Sequence, residues 1–196
     1  MQKINKILIG THNKGKFREI SDLLPKQIEK VSAGELNIES PVEDGKTFVE
    51  NSEIKADFFC KRSKLITLSD DSGLEVDCLG GEPGIFSARW AKDFGSFDKA
   101  MTEILLRVEK AKQGNEAQFV CSLTMRWPEG KKISKVGVIK GNISSKKGEN
   151  GFGYDPIFIP KGYTKTFAEM NYKQKLSIDH RFIAYKELWK IIKDYF

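Results

Sequence analysis

The chain has 196 residues, 39% of them apolar and 11% aromatic, which is enough for a substantial core in one domain or two closely joined lobes. A formal charge of +6, from 33 basic residues spread along the chain, favours anionic partners without separating nucleotide from nucleic acid. Three scattered cysteines (Cys60, Cys78, Cys121) with no C-x-x-C pair and only two histidines argue against a zinc site or a disulfide framework, and no apolar run approaches the roughly 20 residues that span a bilayer, so the expected location is the cytoplasm.

Lys6 to Gly10 reads as a short buried strand, after which Phe17, Ile20, Leu23 and Leu24 recur at helical spacing until Pro25 stops the pattern. Between them, Gly10-Thr11-His12-Asn13-Lys14-Gly15-Lys16 nearly matches the Walker A pattern. Phe17 stands where the magnesium-binding hydroxyl belongs, so a true P-loop is rejected. What remains is a turn whose amides near a helix N-terminus, with Lys14 and Lys16, suit an anion; a plain strand-to-helix connection is the alternative. Thr47-Phe48-Val49-Glu50 is a capping-box signature for a second helix reaching Arg62, with Asn51 and Lys55 on one face.

Leu65 to Leu68 reads as the next strand, feeding a glycine-bent loop from Ser69 to Arg89, S-D-D-S-G-L-E-V-D-C-L-G-G-E-P-G-I-F-S-A-R. Carboxylates at a strand's exit are where an α/β protein holds a metal or activates water, and magnesium takes only one or two of them beside water and phosphate oxygens. Were the strand to continue, adjacent Asp70 and Asp71 would point to opposite faces, one as ligand or base and the other as support; which is which stays open. The alternative is a turn held by aspartate side chains.

Phe97, Met101, Ile104, Leu105 and Val108 mark an amphipathic helix. From Phe119 the alternation is strict, with Phe119, Cys121, Leu123, Met125 and Trp127 on one face and Val120, Ser122, Thr124 and Arg126 on the other; Pro128-Glu129-Gly130 then turns the chain into Ile133 to Ile143, a long β-hairpin. A polar loop leads to the tight turn G-F-G-Y-D-P, Tyr154 to Ile159 reads as a strand, and Phe182, Tyr185, Leu188, Trp189 and Ile192 form a last helix that begins near His180-Arg181. The order predicts an α/β fold in one domain, 1–196: a mixed twisted sheet with a long hairpin, flanked by helices, in two lobes around a central cleft.

Five segments in this order resemble the inosine triphosphate pyrophosphatase family over nearly the whole chain. T-H-N-K-G-K at Thr11 to Lys16 is similar to its T-x-N-x-x-K signature, F-V-E-N-S-E-I-K-A at Phe48 to Ala56 to its E-N-A-x-x-K-A helix, and S-D-D-S-G-L-E-V-D-C-L-G-G-E-P-G to its central motif, with G-F-G-Y-D-P and H-R following. The resemblance implies a magnesium-dependent enzyme, a homodimer, that cleaves non-standard purine nucleoside triphosphates (dITP, ITP, XTP) to monophosphate and pyrophosphate, without nucleic-acid or membrane partners. By the same resemblance Thr11, His12, Asn13, Lys14, Gly15 and Lys16 grip the triphosphate, Asp71 is general base and magnesium ligand, Glu43 shares the metal, and Lys55 neutralises phosphate charge. Ser72, Phe152, Gly153, Tyr154, Asp155, Lys175, His180 and Arg181 complete the nucleotide site, Phe152 stacking on the base and Arg181 with backbone amides meeting the 6-carbonyl that distinguishes hypoxanthine and xanthine from adenine. Asp179 departs from the family's small hydroxyl residue, Trp90 from its tyrosine and Lys92 from its glycine. The competing readings are a related pyrophosphatase preferring pyrimidine or modified bases, and a non-catalytic RNA- or nucleotide-binding module that uses the basic surface without the carboxylates.

Overall fold

The structure, a computed structural model, describes residues 3–196. Among these, six strands are hydrogen-bonded in the order β2-β1-β3-β4-β5-β6, where β1 is Lys6–Ile9, β2 Glu29–Ser32, β3 Thr67–Val76, β4 Glu116–Arg126, β5 Lys132–Ile143 and β6 Phe158–Pro160. β1 pairs in parallel with β2 and β3, and β5 antiparallel with β6, so the sheet is mixed as expected. The helices are α1 (Lys14–Leu23), α2 (Phe48–Ser63), α3 (Ser87–Asp93), α4 (Phe97–Ala111), α5 (Tyr172–Leu176) and α6 (His180–Ile192).

Local chemistry sets the ends that matter for function. Asn13 caps α1, its Oδ1 accepting from Lys16 N at 3.0 Å, and the helix stops where Leu24 becomes extended before Pro25. Thr47 caps α2 by accepting from Glu50 N at 3.1 Å. The Glu50 carboxylate reaches Lys46 N at 2.6 Å, one residue before the cap, so half of the capping box forms as written and half is displaced.

Packing divides the chain into two compact units. The first takes the residues up to Asp71, Cys121–Gly137 and Arg181–Phe196. Its core joins Ile7 and Ile9 of β1, Ile20 of α1, Leu68 of β3, Leu123 and Met125 of β4, and Leu188 and Ile192 of α6; Leu8, on the other face of β1, packs with Ala33 and Phe59. A strand buried on both faces, as β1 is, reads as the continuous apolar run seen in the sequence. The second unit, Ser72–Val120 and Val138–His180, is built on Leu74, Ile104, Phe119, Phe158 and Phe167, with the Phe119 and Phe158 rings edge to face at 4.8 Å.

Two expectations differ in detail. The aspartates do not lie in a loop after the strand: β3 runs on through Gly73 to Val76, because L-E-V is β-compatible and Asp70 and Asp71 find cationic partners inside the fold. Tyr154 to Ile159 is not a continuous strand, since Asp155–Ile157 forms one 3-10 turn around Pro156 before β6 begins. On β4, both faces are buried: Ser122 and Thr124 lie opposite Cys121 and Leu123, and α2 covers them and offers them Ser52.

Candidate functional site

In the first unit, continuation of β3 through Asp70 and Asp71 sends the two carboxylates to different partners, as alternation requires. Asp71 Oδ1 accepts from Lys55 Nζ at 3.0 Å, and the same ammonium reaches Glu43 Oε2 at 2.9 Å. Lys55 is held inward on the buried stripe of α2, one turn after Asn51, whose Oδ1 accepts from Gly45 N at 2.9 Å and so shapes the loop carrying Glu43. Asp71 Oδ2, though buried, has no hydrogen-bond partner.

Asp70 Oδ2 instead meets Lys16 Nζ at 3.1 Å and Arg181 NH2 at 3.2 Å, and Arg181 NH1 donates to Glu19. Two cations and two carboxylates thus form a balanced buried cluster, with Arg181 only 1% exposed. The guanidinium expected to face a purine spends both terminal nitrogens on carboxylates. Glu19 was not singled out from the sequence; the available signal was a carboxylate beside Ile20 on the inward side of α1.

Charge and burial move these groups in opposite directions. Burial raises the Asp71 pKa, and the Glu43 charge adds to it, outweighing the pull of Lys55 and Lys16. Burial also disfavours ionised Asp70, but Lys16, Arg181 and Lys55 together hold its carboxyl far below the ordinary range. For Lys55 burial acts downward, and the combined charges of Asp71, Asp70 and Glu43 overcome it, so the ammonium is raised and stays charged.

The turn after β1 makes a close approach to β3. Gly10 N donates to Leu68 O at 2.9 Å, and a side chain at Gly10 would collide with Ser69 Oγ and the Phe59 ring. Thr11 Oγ1 accepts from Asn13 N at 3.2 Å, and His12 Nδ1 lies 2.8 Å from Ser40 Oγ. Thr11, His12 and Lys14 line a hollow of about 480 Å³ with Phe17, Lys30 and Ser32; Gly15 follows Lys14 in the first turn of α1.

In the second unit, Asp155 Oδ2 accepts from Phe152 N at 2.9 Å and from Lys175 Nζ at 2.6 Å. Lys175 Nζ also sits 4.5 Å from the centre of the Phe152 ring, so one buried ion pair fixes both backbone and ring of that residue. Gly151, at φ +77°, leaves room for Asp155 that no side chain would. Tyr154 is a packing residue: its hydroxyl donates to Ser87 O at 2.8 Å, and its ring meets Phe97, while Gly153 makes the turn between Phe152 and Tyr154 at φ +66°. His180 is buried, stacked on Phe119 at 4.8 Å and 10°, and Ser72 stands half-buried on β3.

Among the described residues, no group of three or more His, Cys, Asp and Glu side chains is placed to hold a metal, and no helix is long and apolar enough to cross a membrane.

Comparison with known proteins matches residues 7–191 to the model of the Ham1 family. A dITP/XTP pyrophosphatase of Zymomonas mobilis is 44% identical over 187 residues, covering 93% of this chain and 90% of the relative. That of Rhodospirillum centenum is 43% identical over 189 residues, with 93% and 92% covered. Among solved structures, a HAM1 protein from Coxiella burnetii superposes with a TM-score of 0.88 at 32% identity, covering 97% of this chain and all of the other (100%). The Ham1 protein of Staphylococcus aureus gives 0.85 at 34% identity, with 96% and 98% covered.

Proposed function

The chain belongs to the Ham1 family, and from that premise we propose that it hydrolyses non-standard purine nucleoside triphosphates, dITP and ITP or XTP and dXTP, to the monophosphate and pyrophosphate. The observation that carries the reading is the asymmetric Asp71 carboxylate: one oxygen on Lys55, the other buried and without a partner. A buried carboxylate oxygen in that state costs about 1–3 kcal/mol or more unless something is meant to meet it.

The donor set fits magnesium. Asp71 and Glu43 would hold it, as one or two carboxylates suffice when water and phosphate oxygens fill the other positions. When bound, the ion supplies Lewis acidity to the phosphate oxygens. Asp71 accepts a proton from the attacking water; the water oxygen bonds to the α-phosphorus as the bond to the bridging oxygen breaks, and pyrophosphate leaves with that electron pair. No phosphoryl group passes through the protein. In the metal-free protein, burial and the Glu43 charge raise the Asp71 pKa above the ordinary aspartate value. Lys55, kept charged by three carboxylates, balances the negative charge that grows on the transferred group.

Thr11 to Lys16 are assigned to the triphosphate, and Phe152 to the purine ring, held flat by Asp155 and Lys175. Ser72, His180 and Arg181 support them, and Tyr154 anchors the turn. The protein acts in this reading as a cytoplasmic homodimer, in a single catalytic domain, on free nucleotides. The test is pyrophosphate release from dITP, XTP, dATP, dGTP and dTTP, with magnesium and with EDTA. Preferential, EDTA-sensitive turnover of the first two is expected; equal or pyrimidine-favoured turnover refutes the purine assignment, and undiminished turnover in EDTA refutes the metal.

A further inference from the structure

A buried row of hydroxyls runs between α2 and the sheet in the first unit. Ser52 Oγ lies 2.8 Å from Ser122 Oγ and 2.7 Å from Thr124 Oγ1; Thr124 Oγ1 lies 2.9 Å from Ser134 Oγ, which donates to Glu53 Oε1 at 2.8 Å. Glu53 Oε2 takes Lys132 Nζ at 2.7 Å. Ser52, Ser122 and Thr124 are all 0% exposed.

The proton directions follow from the outer end. A carboxylate only accepts, so Ser134 spends its single proton on Glu53 and must accept from Thr124. Thr124 in turn accepts from Ser52, which shares that proton with Val49 O at 2.9 Å, and Ser52 accepts from Ser122.

We propose that this row is a positioning device for catalysis: it fixes the roll of α2 and thereby sets the Lys55 ammonium against Asp71, with Ser52 as the positioning residue. The inference rests on the role given to Lys55 above. Ser52 and Lys55 are three residues apart on the same inward stripe, so they turn together. The apolar members of that stripe, Phe48, Ala56 and Phe59, are held by non-directional burial. Hydrogen bonds are directional, because they weaken steeply off line. An ammonium lies about 8 Å from the axis of a helix whose Cα radius is about 2.3 Å, so a roll of about 15° moves it about 2 Å. A misplacement of about 1 Å at a reacting centre can cost about 10²-fold in rate.

The test uses the full chain as wild type, Ser52→Ala, and the triple variant Ser52→Ala/Ser122→Ala/Thr124→Val. Three readouts are kcat and KM for dITP hydrolysis, Tm, and the Lys55 side-chain 15N–1H signal, assigned by its absence from Lys55→Ala. Ser52→Ala is expected to lower kcat by about tenfold or more with KM within about threefold, to lower Tm, and to shift the Lys55 signal. The triple variant removes the hydroxyls left without partners and regains most of the Tm, yet keeps the low kcat and the shifted signal. Wild-type kcat in Ser52→Ala, or kcat recovering with Tm in the triple variant, overturns the proposal. A wild-type protein inert on both dITP and XTP overturns the functional reading instead, and the Lys55 signal then decides the positioning alone: unchanged in Ser52→Ala, it refutes it.

Discussion

Replacing Glu19 with alanine should expose how much the fold depends on the four-charge cluster. Lys16, Arg181, Asp70 and Glu19 sum to zero, and Arg181 and Glu19 have side chains only 1% and 3% exposed. Removing Glu19 takes one carboxylate from a buried guanidinium, and breaking a buried pair from one side costs about 3–5 kcal/mol. That is a large part of the about 5–15 kcal/mol that holds a native domain together. At about 2.1 cal/mol/K per residue, the unfolding entropy of this chain is about 0.4 kcal/mol/K, so the loss corresponds to about 7–12 °C in Tm. The companion Glu19→Ala/Arg181→Met removes both charges together and should lose less than half as much, because no charge is stranded. Thermal unfolding followed by circular dichroism compares the two. A fall of under about 3 °C in the single variant, or a double variant as unstable as the single, would show that solvent or other partners already satisfy Arg181 and that the cluster argument is wrong.

Asp71→Asn should reduce pyrophosphate release by about 10²–10⁴-fold; turnover within about threefold of wild type would contradict the assignment. In the metal-free protein, carboxyl 13C titration should place the Asp71 midpoint above the ordinary value of about 3.9, and a midpoint at or below it contradicts the burial account. Asp70 has the opposite sign: its depressed pKa contributes stability that is complete above about pH 3.9 and is lost as pH falls toward the folded value, so Asp70→Asn should flatten the acid limb of a stability profile measured by urea unfolding. Ser69→Ala should raise Tm by about 2–4 °C, because the buried Ser69 hydroxyl has no hydrogen-bond partner to lose; a lower Tm would reveal one.

Much of this was legible in the chain because it is written locally. The Thr47 cap and the β4–β5 hairpin each depend on residues within a few positions of one another. Adjacency alone separated Asp70 from Asp71, given a strand, although the glycine after Ser72 suggested a loop and hid the length of β3. What remained hidden depends on distant pairing. Arg181 meets Glu19 from 162 positions away and Asp70 from 111, and no periodicity records such a meeting. Alternation set Ser122 and Thr124 opposite Cys121 and Leu123 but reports only that two sides differ; α2 decides that both are dry. β2 and α5, of four and five residues, are too short to leave a periodic trace.

The contact between Lys16 and Asp70 bears on traffic through the proposed triphosphate turn. A lysine already seated on an internal counter-ion is not idle bait for any passing anion: a guest must outcompete the seat. Sulfate or a nucleoside monophosphate brings little charge to that contest, whereas a triphosphate brings a great deal. If Thr11 to Lys16 hold the triphosphate as proposed, this short bridge sets a threshold for entry.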